Sequence, residues 1–302
     1  MFSALASFFS TKAYQLAYKN IIKHMNKAGL RLRIELINGD TIEYWDNHSD
    51  KPVALLIHGF GASTEYQWYK QVEFLSRNYR VITPNLFYFG KSIPGSPKFK
   101  IKDQVELIDS LVNHLDLNSL TLFGVSYGGL ISMEYAQMYN KKVERLVVFD
   151  APVKYVFTED ITTVCKRFKV DSVEDLFVPK TPKELKRLLY LVLGKKSIIP
   201  SFMLRSFYEN VYGENHDDKR FLMTSLIASL DEYAQHNYDF NTPTLLIWGS
   251  NDMAIPVDRA HLIRDHIGEN AELQIIENGA HMPNITKTKK FNGIVSAFLA
   301  QK

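Results

Sequence analysis

The stretch Leu120-Thr-Leu-Phe-Gly-Val-Ser126-Tyr-Gly-Gly129 decides how this chain reads. Leu120 to Phe123 is an unbroken apolar run, as a strand buried on both faces requires. Gly124-Val-Ser-Tyr-Gly128 then sets a serine between two glycines, and Tyr127 to Tyr139 continues with helical character. A strand, sharp turn and helix in this order hold the serine in a strained backbone conformation. Its hydroxyl then projects from the carboxyl edge of the sheet, where helix amides favour a developing anion. Side chains at Gly124 or Gly128 would collide across the elbow. Ser126 is therefore the candidate nucleophile.

Working outward, similar apolar runs occur at Val53 to Ile57, Arg80 to Thr83, Leu146 to Phe149, Thr244 to Trp248 and Leu273 to Ile276. Helical stretches separate most of them, at Glu65 to Arg77, Lys102 to Leu115, Val257 to Ile267 and Thr286 to Ala300. Ahead of these, Leu32 to Leu36 and Thr41 to Trp45 alternate in hydropathy and are joined through Asn38-Gly39-Asp40, a hairpin signal. The pattern predicts an α/β fold with a mostly parallel central sheet flanked by helices. Roughly ninety residues between Asp150 and Thr244 carry no convincing strand, far more than a connection needs. They predict a helical cap inserted after the sixth strand.

The expected organisation is a basic helical arm at 1–30, a core formed by 31–150 and 241–302, and a cap, or lid, at 151–240. Within the cap, Leu185, Leu188, Leu189, Val192, Phe202, Leu204, Phe207, Tyr208, Val211, Phe221, Leu222 and Leu226 supply apolar faces. Which of them line a pocket is not legible.

A serine hydroxyl is nearly inert at neutral pH, so it needs a base, and the base needs an orienting acid. Trp248-Gly-Ser-Asn-Asp252 follows one strand and Asn278-Gly-Ala-His281-Met-Pro283 follows the last, which places Asp252 and His281 in loops at the serine's edge of the sheet. The order Ser126, Asp252, His281 is the one this chemistry uses on a doubly wound sheet. The plainer alternatives are an Asp252 that caps the helix beginning near Pro256 and a His281 that is an ordinary loop residue. Asp150, at the end of the preceding strand, is an alternative acid. His58-Gly59-Phe60-Gly61 follows the strand ending at Ile57. Gly59 and Gly61 let the backbone approach the reacting centre, and the amides of Phe60 and Tyr127 are the candidate oxyanion donors. His58 reads as a structural residue whose ring bonds loop backbone.

Composition excludes several classes. The 302 residues are 46% hydrophobic and 23% charged, and 36 Lys and Arg against 33 Asp and Glu leave +3, too balanced for a dedicated nucleic-acid binder. Lys12, Lys19, Lys23, Lys27, Arg31 and Arg33 all precede the first acidic residue, Glu35. Cys165 is the only cysteine, so no internal disulfide or cysteine-based zinc site is expected, and a reducing, cytoplasmic setting fits. The opening apolar segment is too short to span a bilayer and lacks the basic start of a secretory signal. Continued as a helix, it places Phe2, Leu5, Phe9, Leu16, Ile21 and Met25 beside lysines. That stripe either packs on the protein's own body or makes peripheral contact with an anionic membrane.

The motifs His58 to Gly61, Pro84 to Ser92, Gly124 to Gly129, Ser250 to Pro256 and Gly279 to Pro283 together resemble the α/β-hydrolase superfamily, over Leu32 to Leu299. The cap-bearing serine esterases and monoacylglycerol-lipase-like members are the most similar. The resemblance implies hydrolysis of carboxylic esters, hydrophobic acyl esters or monoacylglycerol-like lipids, through an acyl-enzyme, without cofactor or metal. Asn85 stands where many relatives carry Asp, and the Glu often found shortly after the histidine is absent. Serine at 126 argues against relatives with an aspartate nucleophile, such as epoxide hydrolases. Two alternatives remain on the same fold: hydrolysis of a carbon-carbon bond in ring-cleavage products, and a ligand-binding receptor. Oligomeric state is not legible.

Overall fold

The computed structural model describes residues 2–195 and 199–301, the side chains of 2–11 and 13 excepted. The chain opens with helix α1 (Phe2–Lys27) and the hairpin β1 (Arg31–Ile37) and β2 (Asp40–Asp46). Strand β3 (Val53–Ile57), helix α2 (Thr64–Leu75), β4 (Arg80–Pro84), α3 (Ile101–His114), β5 (Leu120–Val125), α4 (Tyr127–Met138) and β6 (Val143–Phe149) follow. Five helices come next: α5 (Thr158–Phe168), α6 (Glu174–Phe177), α7 (Pro182–Leu193), α8 (Ser201–Phe207) and α9 (His216–Gln235). The chain closes with β7 (Thr244–Gly249), α10 (Val257–Ile267), β8 (Ala271–Ile276), α11 (Pro283–Thr286) and α12 (Thr288–Leu299).

The eight strands form one sheet in the order β1-β2-β4-β3-β5-β6-β7-β8, in which only β2 runs against its neighbours. The expected α/β fold with a mostly parallel sheet is the one observed. The apolar runs do what continuous hydrophobicity demands: every residue of β5 and β7 is buried, with helices on both faces. Helix α3 shows the complementary logic, burying Ile101, Gln104, Val105, Ile108, Leu111 and Val112 at spacings of three and four.

Register positions the site. Ile57 lies opposite Gly124, Val125 opposite Phe149, Phe149 opposite Ile247, and Gly249 opposite Ile276. Strands β3, β5, β6, β7 and β8 therefore end together, and the residues just beyond them gather at one edge, where open α/β sheets bind ligands.

The structure adds detail to the sequence reading. The expected helix Thr286 to Ala300 is α12, and a separate short turn opened by Pro283, α11, precedes it. Of the expected N-terminal stripe, Met25 is fully buried in the core while Leu16 is exposed, and the side chains of Phe2, Leu5 and Phe9 lie outside the described residues. Helix α1 packs on α2 and α8, with the Tyr14 and Tyr66 hydroxyls 2.6 Å apart, which is the first of the two placements open to the stripe. Among residues 151–240, Phe221 and Phe202 are exposed, whereas Leu185, Leu188, Leu204 and Val211 form their own cluster with Ala62 and Tyr212. No described helix is long and apolar enough to cross a membrane.

Candidate active site

Ser126 occupies the turn between β5 and α4 with φ 51° and ψ −121°, a conformation an L-residue adopts only when its surroundings enforce it. They do. Its amide donates to Phe149 O at 3.0 Å, and its carbonyl accepts from Gly129 N at 2.8 Å. A Cβ on Gly128 would stand 2.5 Å from the Ile57 carbonyl oxygen, and one on Gly124 would stand 2.7 Å from Gly129 Cα, so neither position admits a side chain.

The three sequence-designated residues meet. His281 Nε2 lies 2.9 Å from Ser126 Oγ, and His281 Nδ1 lies 2.9 Å from Asp252 Oδ2. Asp252 Oδ1 accepts from the amides of Ala254 at 2.7 Å and Ile255 at 3.2 Å, and its side chain has no exposed surface. With Oδ2 facing the ring, Nδ1 carries the proton and Nε2 is left to accept from the serine hydroxyl. The alternative of a merely helix-capping aspartate is thus subsumed: Asp252 bonds the loop amides and the histidine together.

Asp150 is the third member of this neighbourhood. It is fully buried at the end of β6, and one of its carboxyl oxygens accepts from Gly249 N at 3.0 Å while the other has no partner. Burial, and then the adjacent Asp252 carboxylate, hold its pKa well above the usual range. Among the described residues, Asp150, Asp252 and His281 form the one group whose ligand atoms lie close enough to hold a metal, all within 4.8 Å. Asp252 is committed to His281 and two amides, and burial favours the neutral form of Asp150.

The loop after β3 supplies the rest. A Cβ on Gly59 would stand 3.2 Å from Ser126 Cβ, so this loop abuts the serine. Gly61, with φ 119°, takes a conformation that favours glycine. His58 Nδ1 bonds Gly59 O at 2.7 Å while His58 Nε2 accepts from Leu86 N at 3.0 Å, which fixes the tautomer. Burial lowers the His58 pKa to about 4, so the ring is neutral near pH 7. Both ring nitrogens are spent on loop backbone.

Sequence reasoning missed Gln67. This buried side chain accepts from Gly59 N at 2.9 Å and donates to Gly59 O at 2.9 Å and Ala62 O at 2.8 Å. Gly59 O belongs to the same trans peptide as the Phe60 amide, so that amide points away from Gln67 and His58. Among the described residues, no protein acceptor takes the amides of Phe60 or Tyr127. No local motif marks Gln67, because its role exists only once α2 returns beneath the loop.

The two departures from the family pattern also find roles. Asn85 Oδ1 accepts from Thr64 N at 2.8 Å and its Nδ2 donates to Glu43, a pairing that a carboxylate beside Glu43 would turn into repulsion. Asn284, in the position range of the missing acid, donates to Gln67 O at 2.8 Å and ties the histidine loop to α2.

Beside Ser126 and His281 lies an apolar cavity of about 40 Å³. Its wall includes Phe60 and Tyr127, whose rings meet edge to face at 5.7 Å, and cap residues Met223, Leu226, Ile227 and Leu230 along one face of α9.

Residues 52–288 match the family model described as alpha/beta hydrolase fold. The chain belongs to this family. This α/β hydrolase is 27% identical over 258 residues to monoacylglycerol lipase ABHD6 of Homo sapiens, covering 83% of this chain and 76% of that protein. A solved membrane phospholipase A, a bacterial virulence factor, superposes with a TM-score of 0.80 at 23% identity, covering 97% of this chain and 92% of that one. A meta-cleavage product hydrolase from Pseudomonas fluorescens IP01 superposes with a TM-score of 0.74 at 22% identity, over 88% and 97% of the two chains. At those identities the two structures share the fold. The similarity places this α/β hydrolase among lipase-like proteins.

Proposed function

We propose that this lipase-like α/β hydrolase cleaves carboxylic esters with hydrophobic acyl groups by two-step acyl transfer at Ser126. The observation that carries the reading is the continuous hydrogen-bonded line from Ser126 Oγ through His281 to Asp252, set beside an apolar cavity. As Ser126 Oγ attacks the ester carbonyl, its proton passes to His281 Nε2, and Asp252 stabilises the imidazolium. The amides of Phe60 and Tyr127 receive the oxyanion, and the alcohol leaves with the proton from His281. Water, activated by the same histidine, then releases the acid.

Substrate class follows from the walls. The cavity of about 40 Å³ is small beside ordinary ligand pockets and is walled on one side by α9, so in this reading an acyl chain enters as that helix gives way. Residues 151–240 act in this reading as a lid over 31–150 and 241–302. Leu16, Lys19 and Lys23 share an exposed face of α1, which suits peripheral contact with an anionic membrane where monoacylglycerol-like esters partition.

Fluorophosphonate labelling of wild type and Ser126→Ala, followed by rates on p-nitrophenyl esters of rising chain length, tests the reading. Wild-type-only labelling with a rate maximum at an intermediate chain length is expected. Labelling without ester turnover would transfer the site to carbon-carbon hydrolysis or ligand binding, and absent labelling would remove Ser126 as nucleophile.

A further inference from the structure

The outer strand β1 has a property that the hydrolytic site does not explain. It lies at one end of the sheet order and pairs on one side only, with β2. Its seven residues contain no proline, no lysine and no break in register, and its charges, Arg31, Arg33 and Glu35, alternate with Leu32, Ile34 and Leu36 and so lie on the other face. Leu32, Ile34 and Leu36 share one face and are 45%, 52% and 74% exposed. At the opposite edge, β8 presents no exposed large apolar side chain among the described residues.

The hairpin geometry fixes where the free backbone groups point. Asn38 and Gly39, with φ 52° and 86°, form a two-residue turn closed by Ile37 and Asp40. Such a turn closes on a hydrogen-bonded pair, and pairs alternate along the ladder. Ile37, Glu35, Arg33 and Arg31 therefore spend their backbone groups on β2. Leu32, Ile34 and Leu36 turn theirs outward, so the residues with exposed apolar side chains also carry the unpaired N–H and C=O groups.

We propose that β1 pairs antiparallel with β1 of a second copy of this chain, about a twofold axis at Ile34, joining the two sheets into one. The sequence Arg31-Leu-Arg-Ile-Glu-Leu-Ile37 is self-complementary in that register. Ile34 meets Ile34 of the partner subunit, Leu32 meets Leu36 of the partner subunit, and these pairs exchange both backbone bonds. Arg33 meets Glu35 of the partner subunit in the intervening close pair, where opposite charges stabilise. Neighbouring registers lack this complementarity: an axis at Arg33 or Glu35 sets that residue against its own copy, one at Leu32 sets Arg31 against Arg33, and one at Leu36 sets Glu35 against Ile37 with no opposite charge. A symmetric contact of this kind closes at two copies. Glu35 retains its bond to His114 at 2.8 Å, on the face away from the apolar stripe.

The seam is small, so a monomer-dimer equilibrium with a Kd of order ~10 µM is expected. Sedimentation velocity on the full chain from ~0.1 to ~100 µM would resolve it. Ile34→Lys should leave only monomer across that range with ester turnover unchanged. Arg33→Glu alone makes the facing positions 33 and 35 both acidic, and Glu35→Arg alone makes them both basic, so each should weaken self-association by at least ~10-fold. Mixed in equal amounts, the two variants present opposite charges at both positions and should form a heterodimer near wild-type strength. That recovery also shows that both variants are folded. A wild type that stays monomeric to ~100 µM, a dimer indifferent to Ile34→Lys, or variants that fail to recover on mixing would each overturn the proposal. So would vesicle binding lost in Ile34→Lys without a change in association, which would assign the face to lipid.

Discussion

Gln67 and Gly59 clasp each other through both backbone polar atoms of the glycine, N–H to Oε1 and C=O to Nε2, each at 2.9 Å. With His58 also bonded to the Gly59 carbonyl, two donors draw on one end of a peptide whose other end is the Phe60 amide. Bonds at the carbonyl both aim that amide and strengthen it as a donor.

Gln67→Met should therefore lower kcat by roughly 10- to 100-fold with KM changed less than about threefold, somewhat less than deleting an oxyanion donor outright. Gln104→Met is the control. It removes a buried bond from Phe87 N at 2.9 Å and touches neither Gly59 nor the histidine loop, so it should cost similar Tm with little loss of kcat. Equal loss of kcat in both variants would reduce Gln67 to a packing role.

The two buried aspartates should separate cleanly. Asp252→Asn is expected to lower kcat by about 10³- to 10⁴-fold, since the amide no longer holds the Nδ1–H tautomer. Asp150→Asn should stay within about threefold of wild type near neutral pH, because it replaces a carboxyl already favoured in its neutral form by a neutral group of the same shape. Steady-state rates from about pH 6 to 8 decide it; a reversed order would make Asp150 the partner of His281.

Glu65, at the start of α2 beneath α1, carries a carboxyl whose pKa burial raises to about 7 from an ordinary 4.5. One of its oxygens has no partner, and the Tyr18 hydroxyl reaches the other only at 3.5 Å. The folded state binds this proton more tightly than the unfolded state. Its contribution is therefore fully favourable below pH 4.5 and is lost as pH rises to 7, leaving a cost of roughly 3 kcal/mol above that. Glu65→Gln should raise Tm by about 5 °C or more near pH 8 and leave it unchanged near pH 4. A shift of the same size at both values would exclude the titration.

The face of α9 toward Ser126 should set acyl length. Leu226→Trp fills the cavity wall and is expected to move the rate maximum to shorter p-nitrophenyl esters, while Leu226→Ala should favour longer ones at a stability cost of roughly 2–3 kcal/mol. Chain-length profiles of the two variants that coincide with wild type would place the acyl group elsewhere.

Much of the fold was legible because its strands are buried on both faces, so that runs such as Val53 to Ile57 carry their own label. Ser126, Asp252 and His281 were legible because each follows such a strand by a few residues, and parallel strands deliver their ends to one edge. The alternation of Leu32, Ile34 and Leu36 gave a shared face but not its surroundings: period two says which side chains go together, and only the packing says that nothing described covers them. Gln67 was silent for a related reason, since a single amide acquires its meaning from a loop that the tertiary fold brings over it. In the cap, Leu185 and Leu226 both read as apolar helix positions, yet one joins a cluster near Tyr212 and the other lines the site.

Ser126 and His281 are separated by 155 positions, with the entire set of cap helices threaded between them. A ribosome adding about 5–20 residues each second delivers Ser126 roughly 8–30 s before His281. In the proposed mechanism the serine has no base during that interval, and a translation product that stops within or just after residues 151–240 is expected to show no ester turnover. In the proposed mechanism ester turnover requires the chain through His281, so it reports that the segment following these helices has been made and folded around Ser126.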